Sequence, residues 1–398
     1  MPRSLPAHTY SRKRPFLLTA LAVVAAALGH APAAAITLQF NYDYDATGFF
    51  GTALAPTPAR TALEFAGRAF ESFSDHLPAI QPGGQNSWTA HFLSPGTGEP
   101  AKVANLAVSQ NSLVVFAGAR DLPLTTLGEG GFGGFALGGG VTPAFQDAVV
   151  NRGQGAALED FAAWGGAIVF DTLQSTGQPR QWHFDAQTAP APGSFDFYSV
   201  AVHELAHLMG FGLSSAFATH VTGDAIVGYR FAGPTASSVY VGTVPMSVPG
   251  HWAFSVTSPP FVYGAPKPSL GPSLAFGERK TLTPLDYAAL ADTGWNVPAQ
   301  LFGLTGDTDG DDDVDGADFL AWQRNLGGLA GSPGNVNGDQ QVDALDGWLI
   351  RRFLGGQGPS ALIPPETAAV PEPAAWALAA LLTLRRHSAW PGTRRKTA

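Results

Sequence analysis

A stretch of 15 residues near the middle of the chain, YSVAVHELAHLMGFG at residues 198–212, decides the fold of the domain around it. It begins with an apolar run and continues into His203, Glu204 and His207, a pattern typical of a buried helix that carries an active site. Helical residues four positions apart lie on one face, about 5–6 Å apart at Cβ, so both histidines can bind one tetrahedral zinc ion. Glu204 then projects towards the open coordination position, where a carboxylate can act as a general base.

The residues after this helix indicate where it ends and where a third ligand can come from. Gly210 follows His207 by three residues, and a glycine at this position predicts the left-handed turn that ends a helix. Two histidines further along the domain, His220 and His251, are candidates for the third zinc ligand. The spacing of the residues leaves both candidates open.

The run at residues 203–210 resembles the beginning of the metzincin signature of zinc peptidases, although Leu213 stands where a usual metzincin has its third histidine. The chain resembles the leishmanolysin-like metallopeptidases, in which a later His-Trp supplies the third ligand. It resembles still more closely a group of secreted bacterial metalloproteases with a later Gly-His-Trp, and the matching run is at residues 250–252. The resemblance therefore favours His251 over His220.

The resemblance covers about residues 164–297 and includes a closing Leu-x-Pro-Leu-Asp to Gly-Trp pattern at residues 282–295. It implies an α+β fold, with a metzincin-like zinc metallopeptidase domain at residues 36–300. Metzincins place a methionine in a tight turn beneath the zinc ion, and Leu270 stands at that position here. The implied site holds one catalytic zinc ion, with Glu204 as the general base and His203, His207 and His251 as the ligands.

Hydrophobic patterns predict further elements in this domain. A helical apolar face predicts a helix at residues 59–73, and a helix that closes the domain is expected at residues 284–292. The glycine-rich segment at residues 128–140 is expected to be a loop. Short strands are expected at residues 103–107, 113–117, 167–170 and 181–184.

An acidic block at residues 303–356 contains an internal repeat of 28 residues. Residues 307–318 and 335–346 both carry oxygen side chains at loop positions 1, 3, 5, 9 and 12, a spacing that wraps one Ca²⁺. The block resembles a type I dockerin, which implies a small all-α domain, two structural calcium ions and a possible cohesin partner. The implied ligands are Asp307, Asp309, Asp311, Asp313, Asp315 and Asp318 in the first loop, and Asn335, Asn337, Asp339, Gln341, Asp343 and Asp346 in the second.

The two ends of the chain resemble processing signals. Residues 1–35 combine a basic segment, a short apolar run and small residues, as in a secretory signal peptide that signal peptidase removes. Residues 370–398 combine Pro-Glu-Pro, an apolar run and a basic cluster, which resembles the PEP-CTERM sorting signal and implies recognition by an exosortase. A proline-rich linker at residues 357–369 precedes this signal. We therefore expect a secreted protein that is extracellular or attached to the cell surface.

The composition excludes several classes of function. The 398 residues carry a net charge of −9, which argues against a nucleic-acid partner because such proteins need a basic face. The chain has no cysteine, so it can form neither a disulfide framework nor a thiol nucleophile nor a cysteine zinc site. Bound metal ions are expected to stabilise the protein instead.

These observations favour a secreted zinc metalloendopeptidase that hydrolyses protein or peptide substrates with a zinc-activated water. One alternative is a non-catalytic, calcium-stabilised surface or matrix protein, suggested by Leu213 and Leu270. Another is a dockerin-bearing component of an extracellular polysaccharide-degrading system, which the acidic repeat alone supports. Glu204 favours the peptidase, because a structural zinc site has no use for that carboxylate.

Overall fold

The computed structural model describes residues 35–123, 125–155, 158–248, 250–258, 266–298, 301, 306–309, 314–329, 332–336 and 341–354. The linker and the sorting signal expected from the sequence, and all of the signal peptide except Ala35, lie outside the described residues. Within the described ranges, no helix is both long enough and apolar enough to cross a membrane.

The described part of the chain mixes helices and strands, which agrees with the expected α+β class. The helices are α1 (Pro58–Gly67), α2 (Pro143–Val150), α3 (Phe197–Leu208), α4 (Ser215–Thr219), α5 (Pro234–Tyr240), α6 (Pro284–Asp292), α7 (Gly316–Asn325) and α8 (Ala344–Phe353). The strands are β1 (Thr37–Asn41), β2 (Gly51–Thr52), β3 (Ala55–Pro56), β4 (Trp88–Leu93), β5 (Pro100–Ala104), β6 (Ser112–Arg120), β7 (Gly128–Phe132), β8 (Gly134–Leu137), β9 (Gly165–Asp171), β10 (Trp182–His183), β11 (Phe195–Asp196), β12 (Val221–Thr222), β13 (Tyr229–Phe231), β14 (Val244–Val248) and β15 (His251–Trp252).

The sheet next to the candidate site has the strand order β1-β6-β9-β7. β1, β6 and β9 run parallel, and β7 runs antiparallel to β9 at one edge. β6 is buried on both faces, as expected for an apolar central strand. Leu113 and Val115 point into the core that contains α1 and α3, whereas Val114 and Phe116 point into a second core with β4. Helices α1 and α3 therefore cover one face of the sheet, and the β5-β4-β8 sheet together with α2 covers the other.

The prediction of a loop at residues 128–140 is wrong, because the chain forms β7 and β8 there. The glycines of β7 allow the strand to lie directly against α3. A Cβ atom at Gly130 would lie 2.4 Å from the Glu204 carbonyl oxygen, and one at Gly128 would lie 2.9 Å from the Glu204 Cγ. Glycine weakens an isolated strand, but here it permits an approach that a side chain would block.

The other predicted elements agree better with the structure. The helix predicted at residues 59–73 is α1 followed by one turn of 3₁₀ helix at Arg68–Phe70, and the helix predicted at residues 284–292 is α6. All four predicted strands overlap strands of the structure. Those at residues 103–107 and 181–184 do so only in part, because β5 ends at Ala104 and β10 contains two residues.

The acidic block packs onto the helix of the candidate site through α8. Trp348 is 7% exposed, and its ring centre lies 5.2 Å from that of Tyr198 in α3. The Arg279 guanidinium lies 5.8 Å from the centre of the same indole ring, and Asp343 forms an ion pair with Arg68. Residues of the acidic block and residues of α1, α3 and α6 therefore share one buried core.

Candidate metal centre

The first turn of α3 is fixed by a buried carboxylate. Asp196 is the N-cap, and it accepts hydrogen bonds from the N–H of Ser199 at 3.1 Å and from its Oγ at 2.6 Å. Arg279 donates to both oxygens of the same carboxylate, at 3.0 Å and 2.5 Å. An N-cap of this kind stabilises a helix by about 1 kcal/mol, and the guanidinium compensates the buried charge. The helix that carries His203, Glu204 and His207 therefore begins at a defined residue.

Three histidine side chains converge beside the second half of α3. The Nε2 atom of His203 lies 3.0 Å from that of His207 and 3.1 Å from that of His251, and the latter two atoms are 3.3 Å apart. Tetrahedral zinc with bonds of about 2.0–2.1 Å places its nitrogen ligands about 3.3–3.4 Å apart. The triangle of nitrogens is therefore close to the size that one zinc ion requires.

Hydrogen bonds on the opposite side of two rings direct their lone pairs inward. The Nδ1 atom of His203 lies 2.8 Å from the carbonyl oxygen of Ser269, and that of His207 lies 2.9 Å from the carbonyl oxygen of Phe211. A carbonyl oxygen only accepts, so each Nδ1 carries the proton and each Nε2 keeps a lone pair. Burial also lowers the pKa of His207 to about 4, which keeps its ring neutral. Facing lone pairs repel unless a cation lies between them, so this donor set fits a metal ion.

The structure brings His251 to this group and leaves His220 outside it. His251 begins β15 after Gly250, which packs against Gly212 just beyond the end of α3. Both glycines have positive φ angles, +102° and +74°, and a Cβ atom at Gly212 would lie 2.4 Å from the Gly250 Cα. The Nε2 atom of His220 instead lies 2.9 Å from the backbone carbonyl oxygen of Asp292. The hairpin of β14 and β15 therefore places His251, and not His220, beside His203 and His207.

Replacing His251 by alanine is expected to remove bound zinc, because it takes away one of three direct ligands. The loss of affinity should exceed the roughly 10–100-fold that removal of an outer-shell partner costs. His220→Ala is the matched control and should keep one zinc ion per chain. Zinc content after dialysis, measured by mass spectrometry of the metal, distinguishes the two variants. Loss of zinc from the His220 variant alone would contradict the geometry.

No family model, curated protein or solved structure matches this chain. The chemistry of the site has to follow from its own residues. Three neutral imidazole nitrogens can bind a divalent metal, and a neighbouring carboxyl group can exchange a proton with whatever binds beside that metal.

Glu204 is the carboxyl group in that position. It lies between His203 and His207 in sequence. The three histidines and Glu204 all line one cleft, which has a volume of about 720 Å³. Burial, and next the charge of Glu129, raise the pKa of Glu204 to about 8, and a hydrogen bond from the Gly130 N–H opposes the shift. A cation at the histidines would lower this pKa, since an opposite charge favours the ionised form. Such a carboxyl group suits proton transfer near neutral pH.

A turn beneath the histidines is held by one buried carboxylate. The Ser269 carbonyl that accepts from His203 belongs to this turn. Asp286 accepts the Ser269 N–H at 2.9 Å and the Trp252 indole N–H at 2.9 Å, and it forms a capping box with Thr283 at the start of α6. One side chain therefore joins the turn, β15 and α6.

Leu270, the residue expected in place of methionine, is fully buried in this turn. Its carbonyl oxygen accepts the backbone N–H of Trp252 at 2.9 Å, directly after the candidate ligand His251. The turn therefore contacts His203 through Ser269 and is bonded next to His251 through Trp252.

The two acidic loops share one arrangement in their described residues. Asp318 accepts the Asp315 N–H at 2.7 Å, and Asp346 accepts the Asp343 N–H at 2.7 Å. Asp315 and Asp343 are the N-caps of α7 and α8. Three carboxylates that place oxygens within 4.8 Å of one another, and that can hold a metal ion, are Asp307, Asp309 and Asp318. The helix that follows each loop is therefore capped in the same way in both repeats.

The remaining predicted calcium ligands divide into two groups. Asn335 and Gln341 belong to the described residues, and Gln341 forms a β-bridge with Leu329 next to α8. The others lie outside the described residues, and they are Asp311, Asp313, Asn337 and Asp339.

Proposed function

We propose that this chain is a secreted zinc-dependent metalloendopeptidase. The observation that supports the proposal best is the convergence of three Nε2 atoms beside the buried carboxyl group of Glu204, in a cleft of about 720 Å³. Structural zinc sites have four protein ligands and no open position, whereas catalytic sites have three protein ligands and leave the fourth position open. A histidine triad next to a carboxyl group and a cleft therefore favours catalysis.

Each residue of the site then has a separate task. His203, His207 and His251 would hold zinc through their Nε2 atoms. Zinc, when bound, supplies a Lewis acid that polarises the scissile carbonyl group and lowers the pKa of water. Glu204 accepts a proton from the attacking water and returns it to the amine nitrogen as the C–N bond breaks.

The edge strand β7 supports a peptide as the substrate. It lies at the end of its sheet, and three of its residues line the cleft beside Glu204: Gly128, Glu129 and Gly130. An exposed strand edge can bind an extended peptide through main-chain hydrogen bonds. Backbone recognition of this kind suits an enzyme that cleaves within protein chains.

The two terminal signals and the acidic block at residues 303–356 have separate roles in this function. Processing by signal peptidase and an exosortase would deliver the protein to the cell surface or the medium, and two structural calcium ions would order the acidic block. The indole of Trp348 in α8 already packs on α3, which supports an internal stabilising role for this block over a purely cohesin-binding one. A cohesin partner would have to use the remaining surface.

Removal and return of zinc tests the proposed function. The purified protein is expected to cut casein at internal peptide bonds, to lose this activity in 1,10-phenanthroline, and to regain it with added Zn²⁺. Calcium is kept constant, so that loss of the acidic block's ions does not contribute. Mass spectrometry of the products identifies the cleaved bonds. A folded protein that holds one zinc ion per chain and cleaves no member of a broad peptide library would contradict the proposal.

A further inference from the structure

A lysine without an acidic partner lines the cleft that contains the histidine triad. Lys280 is only 6% exposed, yet it borders the same cavity as His251 and Glu204. Its Nζ donates a hydrogen bond to the carbonyl oxygen of Ser273 at 2.5 Å. An ammonium group has three donors, and this is the one hydrogen bond that Nζ makes among the described residues.

The acidic side chains whose charges act on Lys280 accept hydrogen bonds from other donors. Among the described residues, no carboxylate lies within ion-pairing distance of the Lys280 ammonium. Glu278, which acts on it through charge, accepts the Ala275 N–H at 2.8 Å. Asp286 binds the donors of the turn and of α6. The charges of Glu278 and Asp286 offset part of the cost of burying the ammonium, but neither carboxylate forms a direct ion pair with it.

The backbone of Lys280 is fixed to the active-site helix. Its N–H donates to the Ser199 Oγ at 2.8 Å, and Ser199 is also bound to the N-cap Asp196. Its neighbour Arg279 forms an ion pair with the same Asp196. The backbone of Lys280 is therefore held at a constant position relative to α3, and the hydrogen bond to the Ser273 carbonyl oxygen holds the ammonium, as specific recognition requires.

Lys280 lies in the wall of the cleft beside the turn that contacts His203. Ser269, whose carbonyl oxygen lies 2.8 Å from the Nδ1 atom of His203, lines the same cavity as Lys280. The wall of the cleft on this side is formed by Gly271, Pro272 and Ser273, and the Ser273 carbonyl oxygen accepts the hydrogen bond from the ammonium.

We propose that Lys280 is a specificity-determining residue that binds a carboxylate of the peptide close to the scissile bond. This inference rests on the proposed peptidase function and names its substrate class: peptides with an acidic group near the cleaved bond. The carboxylate has two possible sources, an aspartate or glutamate side chain or the C-terminus of a short peptide. Either carboxylate would supply a counter-charge in direct contact with Lys280 and would accept hydrogen bonds from the remaining N–H groups of its ammonium.

Binding to uncleaved peptides tests the inference without catalysis. The probes are fluorescein-labelled decapeptides in which one position at a time is Asp or Asn, each with a free or an amidated C-terminus. The host is the zinc-loaded Glu204→Gln protein, and fluorescence anisotropy gives the Kd. We expect one Asp peptide to bind at least about tenfold more tightly than its Asn partner, the size expected for a charged hydrogen bond. A preference for free over amidated ends would instead identify the C-terminus as the source.

Substitutions at Lys280 then connect the preference to this side chain. Lys280→Gln removes the charge but keeps an N–H donor for the Ser273 carbonyl, and it should reduce the Asp-to-Asn or acid-to-amide ratio to about one. Lys280→Arg should keep most of the ratio, and Lys280→Met provides a second neutral variant if the glutamine form is unstable. Thermal unfolding confirms that each variant is folded. An unchanged ratio in the neutral variants, or an equal loss of affinity for both peptides, would show that Lys280 only supports the cleft wall and would overturn the inference.

Failure of this inference differs from failure of the proposed function. If the wild-type protein cleaves acidic and amide peptides equally well, the peptidase proposal stands and the role of Lys280 is wrong. If it cleaves none of them but binds the carboxylate peptides through Lys280, carboxylate recognition stands and peptidase activity is wrong.

Discussion

Replacing Glu204 by glutamine is expected to lower kcat/KM for peptide hydrolysis by about 10²–10⁴-fold, the usual contribution of general acid–base catalysis. Glutamine keeps the size of the side chain and its place in the packing against β7, but its amide cannot accept a proton from water. The three histidines are untouched, so zinc content should remain at one ion per chain. Initial rates on a fluorogenic peptide, with zinc measured on the same samples, check both parts of the expectation.

Glu129→Gln is a matched control for the loss of a carboxylate from the same cleft. Glu129 lies on β7, forms an ion pair with Arg120 at 2.9 Å and raises the pKa of Glu204 through its charge. Its removal should shift the pH dependence of activity to lower pH, because the pKa of Glu204 falls, and should change kcat/KM by less than about tenfold. A Glu204→Gln protein that retains activity within a few-fold of wild type would eliminate Glu204 as the base.

The local part of the site could be predicted from the sequence because helical geometry fixes it. The spacing of His203 and His207 places both rings on one face of α3, and Gly210 takes the predicted left-handed conformation at φ +99°. The position of His251 could not be predicted in this way, because α3 ends 43 residues before it and helical geometry says nothing about so distant a contact. Its assignment needed the resemblance to known peptidases, and the structure explains it by the close contact of Gly212 with Gly250.

Tertiary contacts decide several features of the fold and the site that local sequence patterns do not show. Residues 128–140 were expected to form a loop because glycine has a low strand propensity, but contact with α3 outweighs that propensity. Lys280 looks like an ordinary surface lysine in the sequence, and only the folded chain places it in the wall of the cleft. Asp286 could be predicted as a helix cap from its spacing to Thr283, whereas its bonds to Ser269 and Trp252 arise from tertiary structure.

Asp286→Asn is expected to lower both the free energy of unfolding and the affinity for zinc. One oxygen of Asp286 accepts the N–H of Ser269 and that of Thr283, each at 2.9 Å, and the other accepts the Trp252 indole N–H. An amide has one oxygen and one NH₂ group, so either orientation sets a donor against a donor. A buried donor without an acceptor costs about 1–3 kcal/mol, which urea unfolding monitored by tryptophan fluorescence can measure.

The effect on zinc separates a positioning role from simple stabilisation. Asp286 holds the turn whose Ser269 carbonyl orients His203, and loss of such an outer-shell partner typically lowers metal affinity about 10–100-fold. Asp292→Asn is the matched control, since Asp292 is buried at the other end of α6 and accepts the N–H groups of Thr235 and Ala236 at 2.8 Å each. Competition with a zinc-binding dye should show weakened zinc binding in the Asp286 variant and unchanged binding in the folded Asp292 variant. Equal zinc affinity in both would mean that Asp286 stabilises the fold but does not position the ligand, because the histidine would then keep its orientation without the turn.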